Sequence, residues 1–224
     1  MIRGARIGVL GGTLDPIHCG HMAAATASRD ALDLSAVLVI PSHLPPHRSV
    51  QPVASAYHRF AMAALAVSNE PLLEASDLEL ASDGLSYTAD TLERLQARGY
   101  APSRIFFVTG ADAFADIGTW KRYPGVLDLA HFVVVSRPGY DIDALAERLP
   151  DLRARMRPAG APARTDGGTL IFLLEAPTPD VSSTAVRDRL RHGAPVAGLV
   201  PPLVETHIRQ HRLYQPADQR HGQS

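Results

Sequence analysis

The residues Ile7-Gly8-Val9-Leu10-Gly11-Gly12-Thr13-Leu14-Asp15-Pro16-Ile17-His18-Cys19-Gly20-His21 decide how the chain folds. An apolar run, Ile7–Leu10, leads into a glycine turn, two histidines and the Ala-rich segment Met22–Ala31, which reads as a helix. Strand, turn and helix in that order place the turn at the carboxyl end of a first strand, where open α/β sheets bind ligands. Gly11 and Gly12, with Thr13 behind them, let the backbone approach a ligand closely. The N–H groups of the helix start favour an anion. His18 and His21 are three residues apart, so their rings become neighbours once the helix has begun. Phosphate suits this chemistry.

Working outward, continuous apolar runs recur at Ala36–Ile40, Arg104–Thr109, Phe132–Ser136 and Leu170–Leu174, as in strands covered on both faces. Helical patterns alternate with them at His58–Ser68, Thr88–Arg98, Asp143–Leu149, Ser182–Arg191 and Leu203–Arg212. The alternation predicts an α/β fold with a doubly wound parallel sheet. One domain spans 1–215, its helical C-terminal portion covering about 182–215, and 216–224 reads as a disordered tail. Arg157–Gly168, rich in Pro, Ala and Gly, reads as a surface loop.

Composition narrows the partners. Of 224 residues, 46% are hydrophobic and 20% charged, with a formal charge of −1, so no nucleic-acid or membrane partner is indicated. Lys121 is the sole lysine, so a phosphate clamp here rests on arginine and its bidentate fork. Cys19, the sole cysteine, excludes an internal disulfide and, lacking a separate base, reads as a spectator. The chain starts directly on a strand with no leader pattern or membrane-length apolar run, which predicts a cytoplasmic protein. His58, His131, His192, His207, His211 and His221 read as surface or helix-face residues. Even the i, i+4 pair His207 and His211 reads as solvated, so no residue is assigned as a metal ligand.

Further constellations carry chemistry. Pro41-Ser42-His43-Leu44-Pro45-Pro46-His47-Arg48 follows the second strand, which puts His43, His47 and Arg48 at the same sheet end as the first turn. Val181-Ser182-Ser183-Thr184-Ala185-Val186-Arg187 opens a late helix, with Ser182 or Ser183 as N-cap and Arg187 leaning back towards the anion-friendly terminus. Gly110-Ala111-Asp112 follows a strand, its glycine suited to close backbone approach and its carboxylate to ribose hydroxyls. Ser86-Tyr87-Thr88 opens another helix, with Thr88 read as N-cap. Trp120 reads as a core residue or as a flat face for an aromatic ring.

The motif Gly12-Thr13-x-Asp15-Pro16-x-His18-x-Gly20-His21 resembles the His-x-Gly-His signature of the nucleotidyltransferase superfamily. Val181–Arg187, some 160 residues downstream, is similar to that superfamily's Ile-Ser-x-Thr-x-x-Arg box, with Val for Ile. The Pro-Pro-His-Arg run, the seven-residue spacing from Asp112 to Trp120, and Ser136-Arg137-Pro138-Gly139-Tyr140 resemble the bacterial nicotinate mononucleotide adenylyltransferases. Leu14 stands where these commonly carry Phe, and His43 where they often carry Asn or Gly. The resemblance runs from Ile7 to about Tyr214.

It implies a Rossmann-like nucleotidyltransferase fold and adenylyl transfer from ATP to nicotinate mononucleotide, giving deamido-NAD and pyrophosphate. Catalysis would rest on His18, His21, Arg48 and Arg187. ATP would be held by Gly11, Gly12, Thr13, Gly110, Asp112, Ser182, Ser183 and Thr184, and the mononucleotide by His43, Thr88, Trp120 and Arg137. Mg²⁺, the implied cofactor, would be held mainly by the ATP phosphates. A homo-oligomer is compatible with the sequence. Alternatives from the same residues are another small-molecule adenylyl- or cytidylyltransferase, with nicotinamide mononucleotide or phosphopantetheine as acceptor, a class I aminoacyl-tRNA synthetase, and a non-catalytic nucleotide sensor.

Overall fold

The computed structural model describes residues 5–46, 52–81, 84–136, 139, 141–142, 144–161 and 168–215. β1 (Ile7–Gly12), α1 (Cys19–Ala31) and β2 (Ala36–Pro41) form the first crossover unit. α2 (Ala56–Val67) leads to the short strand β3 (Leu73–Ala75), and α3 (Thr88–Ala97) precedes β4 (Ile105–Gly110). The short helix α4 (Ala111–Phe114) precedes β5 (His131–Val135), α5 (Leu145–Arg148) precedes β6 (Met156–Pro158), and β7 (Ile171–Leu174) leads into α6 (Ser183–Arg191) and α7 (Pro202–Gln210).

Among the described residues seven strands form one sheet and all pair in parallel, in the order β3-β2-β1-β4-β5-β7-β6. From β1 the chain winds outward through β2 to β3. It then returns to the other side of β1 through β4 and onward to β5. The crevice between the carboxyl ends of β1 and β4 is therefore the topological switch point, where such sheets take ligands.

Alternation along each strand builds a core on both faces. Leu10, Val108, Val133 and Val135 pack with Ala25 of α1, Met62 of α2, Val186 of α6 and Val204 of α7. Val9, Phe107, Phe132 and Val134 pack with Leu92 and Leu95 of α3 and Phe114 of α4 on the opposite face. α7 packs against α2, which closes one flank of the molecule. No helix among the described residues is long and apolar enough to cross a membrane.

The expected elements form with edges shifted by a few residues, and four expectations need correction. β3 and β6 are additional three-residue strands, and β6 takes up Arg157 and Pro158 of the expected loop. Pro158 is tolerated because β6 pairs only with β7, as an edge strand. His131 is no surface histidine: it opens β5, is 1% exposed, and its Nδ1 accepts a hydrogen bond from Leu170 N at 2.8 Å. Phe106 stacks on its ring, and burial lowers its pKa to about 4. Thr88 is not the cap of α3; Tyr87 takes that place without a side-chain hydrogen bond, and Thr88 is the first helical residue. α5 is a single turn followed by a 3₁₀ segment, Pro150–Arg155. Residues 162–167 of the expected loop, Asp143 and the tail 216–224 lie outside the described residues.

Candidate active site

The first turn runs off β1 into α1 through a reciprocal cap made by two histidines. His18, the N-cap, has extended backbone. Its Nδ1 accepts from His21 N at 3.4 Å, and His21 Nδ1 accepts from His18 N at 3.2 Å. The rings stack with centroids 3.7 Å apart. With Nδ1 turned to the backbone N–H in each ring, Nε2 is the ring nitrogen on the other side. Two ring nitrogens are thus oriented by the helix start itself. Gly20 sits in a tight spot between them, since a Cβ there would lie 3.1 Å from the His18 ring and 3.3 Å from Val181. Cys19 is half-buried, and burial raises its thiol pKa, which keeps it from acting as a thiolate.

Asp15 ties this turn to the rest of the molecule. Its buried carboxylate accepts from Val53 N at 2.8 Å, Ala54 N at 3.1 Å and the Tyr214 hydroxyl at 2.8 Å. Burial beside Asp15 pushes the Tyr214 pKa upward, so that hydroxyl stays a donor. Backbone oxygens of the same turn receive the start of α6: Arg187 donates to Asp15 O at 2.6 Å and Ser183 Oγ to Pro16 O at 2.9 Å. Ser182 caps α6 by accepting from Ala185 N, and Arg187 also holds Thr184 Oγ1 at 3.1 Å. The two sequence boxes therefore meet, joined by direct hydrogen bonds.

Two cavities open at this end of the sheet and share Thr109. The smaller, about 110 Å³, is walled by His18, Gly20, His21, Gly110, Ser136 and the Thr178–Val181 segment. The larger, about 400 Å³, lies over Gly11–Thr13, between Ser42 and Pro45–Pro46 on one side and Ser86–Ala89 and Trp120–Lys121 on the other. Its size is that of a small-ligand pocket. Trp120 is half-buried and edge-on to Phe107 at 6.0 Å and to Phe132 at 6.3 Å, so the core supports its ring while the ring lines the cavity. The uncapped amino terminus of α3 contributes Thr88 and Ala89 to the same wall. Lys121 lies over the Tyr87 ring and pairs with Asp90 at 2.9 Å.

The expected site residues are thus largely brought together. Gly11, Gly12, Thr13, Thr88 and Trp120 line the large cavity, and His18, His21 and Gly110 the small one. Ser182, Ser183, Thr184 and Arg187 form the adjoining helix start. His43 lines neither cavity; its N–H donates to Ser86 Oγ at 2.8 Å and its Nδ1 to Gly84 O at 3.3 Å. Asp112 is exposed on α4 and lines neither cavity. Arg48 and Arg137 lie outside the described residues.

Two buried groups at the site carry no motif. Glu79 lines the large cavity and accepts from Thr91 Oγ1 at 2.5 Å; burial raises its carboxyl pKa, opposed by the Thr91 and Ser86 hydroxyls. Arg59, on α2, is 1% exposed and donates to backbone carbonyls around the turn. Its signal was spacing, since Arg59 shares the apolar helix face of Met62, Ala63 and Ala66. His211 is exposed as expected, whereas His207 is not fully solvated: His58 of α2 meets both, its Nδ1 3.1 Å from His207 Nε2. His207 is half-buried as a result, and its pKa is lowered by burial and by its two neighbours. Among the described residues, no group of three or more His, Cys, Asp or Glu has a geometry that could hold a metal ion.

Comparison with known proteins matches residues 9–189 to the cytidylyltransferase-like family. A probable nicotinate-nucleotide adenylyltransferase of Moorella thermoacetica is 38% identical over 96% of this chain and 94% of the relative. One from Roseiflexus sp. is 42% identical over 94% of this chain and 98% of the relative. Among solved structures, Plasmodium falciparum nicotinic acid mononucleotide adenylyltransferase complexed with NaAD shares the fold, with a TM-score of 0.72 at 19% identity, covering 94% of this chain and 97% of that one. The same enzyme complexed with APC gives a TM-score of 0.70.

Proposed function

The chain belongs to the cytidylyltransferase-like family, and we propose, from its similarity over nearly its whole length to relatives named nicotinate-nucleotide adenylyltransferase, that it joins the adenylyl group of ATP to nicotinate mononucleotide. The mononucleotide phosphate attacks the α-phosphorus of ATP. A new P–O–P bond forms, the bond to the β-phosphate oxygen breaks, and pyrophosphate leaves. No enzyme nucleophile is needed; the barrier falls through positioning and through donors aimed at developing charge.

One observation carries the reading: the His18–His21 cap and the start of α6 are hydrogen-bonded to one turn, beside two adjoining cavities. ATP is assigned to the end of the sheet beside the small cavity, with its phosphates towards the His18–His21 cap and the amino termini of α1 and α6, whose N–H groups favour an anion. The mononucleotide fits the large cavity, with its pyridine ring on Trp120. The open amino terminus of α3 at Thr88 and Ala89 suits the ring's carboxylate, since unpaired helix N–H groups favour an anion over a neutral amide. Arg48 and Arg137 are assigned to the phosphates on resemblance alone.

Mg²⁺ fits as a phosphate-held ion, because the carboxylate nearest the turn, Asp15, already accepts three hydrogen bonds. When bound it would neutralise phosphate charge. We place the reaction in the cytoplasm, with the NAD-biosynthetic substrates. The reading is tested by pyrophosphate release from ATP with nicotinate and nicotinamide mononucleotides measured side by side. Release should be faster with nicotinate mononucleotide, and no release with either would refute it.

A further inference from the structure

We infer that Arg59 is a positioning residue for this reaction, a buried guanidinium that fixes the two substrate-bearing loops to one another. It sits in the first turn of α2 at 1% exposure. Nη1 donates to Thr13 O at 2.8 Å and to Ser42 O at 2.5 Å, Nη2 to His43 O at 3.0 Å, and Nε to Ala54 O at 3.3 Å. Thr13 follows the glycine turn of β1, and Ser42 and His43 follow β2, so one nitrogen bridges the ends of both strands.

The loops are otherwise joined here by the Ser42 N to Gly12 O bond at 2.8 Å. Thr13 and Ser42 both line the large cavity, so its floor is set by what Arg59 holds. The other side of His43 is held as well, since its N–H donates to Ser86 Oγ. Arg59 thereby connects the phosphate turn, through His43, to the wall that begins α3.

A core position is a costly place for a cation, and packing alone would favour an apolar residue. Among the described residues no carboxylate lies within ion-pair distance of Arg59. Its counter-charge is relayed: Ala54 O accepts from Arg59 while Ala54 N donates to Asp15, the carboxylate that anchors the histidine turn. Burial lowers the Arg59 pKa, and Asp15 is the largest opposing influence. The planar fork is what the geometry uses. A lysine ammonium keeps the charge but cannot serve four carbonyls in separate directions.

This inference rests on the adenylyl-transfer reading, and the test separates the two. Arg59→Lys, Arg59→Gln and a control in the same helix, Met62→Ala, are compared with wild type for thermal stability, for kcat and KM by pyrophosphate release, and for quenching of Trp120 fluorescence by nicotinate mononucleotide. Met62 is fully buried in the core and belongs to no part of the site. Arg59→Lys should fold, lose about tenfold or more in kcat and need several-fold more mononucleotide for half-quenching, as loop displacement does. Met62→Ala should lose thermal stability while kcat and quenching stay within about twofold of wild type. Equal kcat and quenching in Arg59→Lys and wild type would overturn the inference. So would failure of both Arg59 variants to fold, which would make the residue purely structural. A wild-type protein that releases no pyrophosphate would instead sink the adenylyl-transfer reading.

Discussion

His21 performs two separable tasks, and dividing them gives the sharpest single-residue prediction. Its Nδ1 caps His18 N at 3.2 Å, and its Nε2 side is the donor we propose for phosphate. His21→Ala removes both. Loss of one donor aimed at transition-state charge costs about 10²–10³ in kcat. Loss of a cap costs about 0.5–2 kcal/mol of stability, a few degrees in Tm for a domain of this size. His21→Asn keeps an acceptor near the Nδ1 position and loses the Nε2 donor, whereas His21→Gln reaches the Nε2 position and loses the cap acceptor. Pyrophosphate release should therefore collapse in His21→Asn with Tm held. In His21→Gln, Tm should fall while part of the turnover survives. Wild-type turnover in His21→Asn would refute the assignment of donor and cap to opposite sides of one ring.

Two further outcomes follow from the geometry. Trp120→Ala should raise KM for the mononucleotide about twofold to tenfold, the worth of one ring stack, with KM for ATP unchanged; an unchanged mononucleotide KM would place the ring elsewhere. His131 gives an acid-sensitive step. Its pKa of about 4 in the fold lies below the ordinary 6.5, so the unfolded chain binds more protons between those values. Its contribution is therefore full above pH 6.5 and is lost as pH falls towards 4, by about 3 kcal/mol in all. Glu79, whose pKa is raised, contributes the opposite slope, stability that declines as pH rises through its folded value. The difference between wild type and His131→Asn in urea unfolding between pH 7 and 5 isolates the histidine, and equal slopes in the two would contradict it.

The sheet was legible where strands were long and covered on both faces, because continuous apolar runs such as Arg104–Thr109 leave little choice. β3 and β6 were not legible: three residues carry no period, and Met156-Arg157-Pro158 contains a residue that argues against a strand. The two corners, Gly11–His21 and Ser182–Arg187, were legible as strand-to-helix and loop-to-helix turns from glycine, histidine and hydroxyl spacing. Their meeting, through Arg187 to Asp15 O and Ser183 to Pro16 O, links residues 172 and 167 positions apart and has no local signature. His131 was misread because a strand's first residue looks like a loop residue until the neighbouring Phe106 ring covers it. Glu79 was missed for a related reason, since charged residues default to the surface until tertiary partners reverse that, and Arg59 was missed because the same default outweighed its spacing on the apolar face of α2.

The central claim is that the first turn and the α6 start hold a single triphosphate between them. The most direct measurement is a crystal structure with a non-hydrolysable ATP analogue. The account predicts phosphate oxygens within hydrogen-bond distance of Nε2 of both His18 and His21, with the same triphosphate reaching the Ser182–Arg187 helix start. A triphosphate bound away from either corner would contradict it.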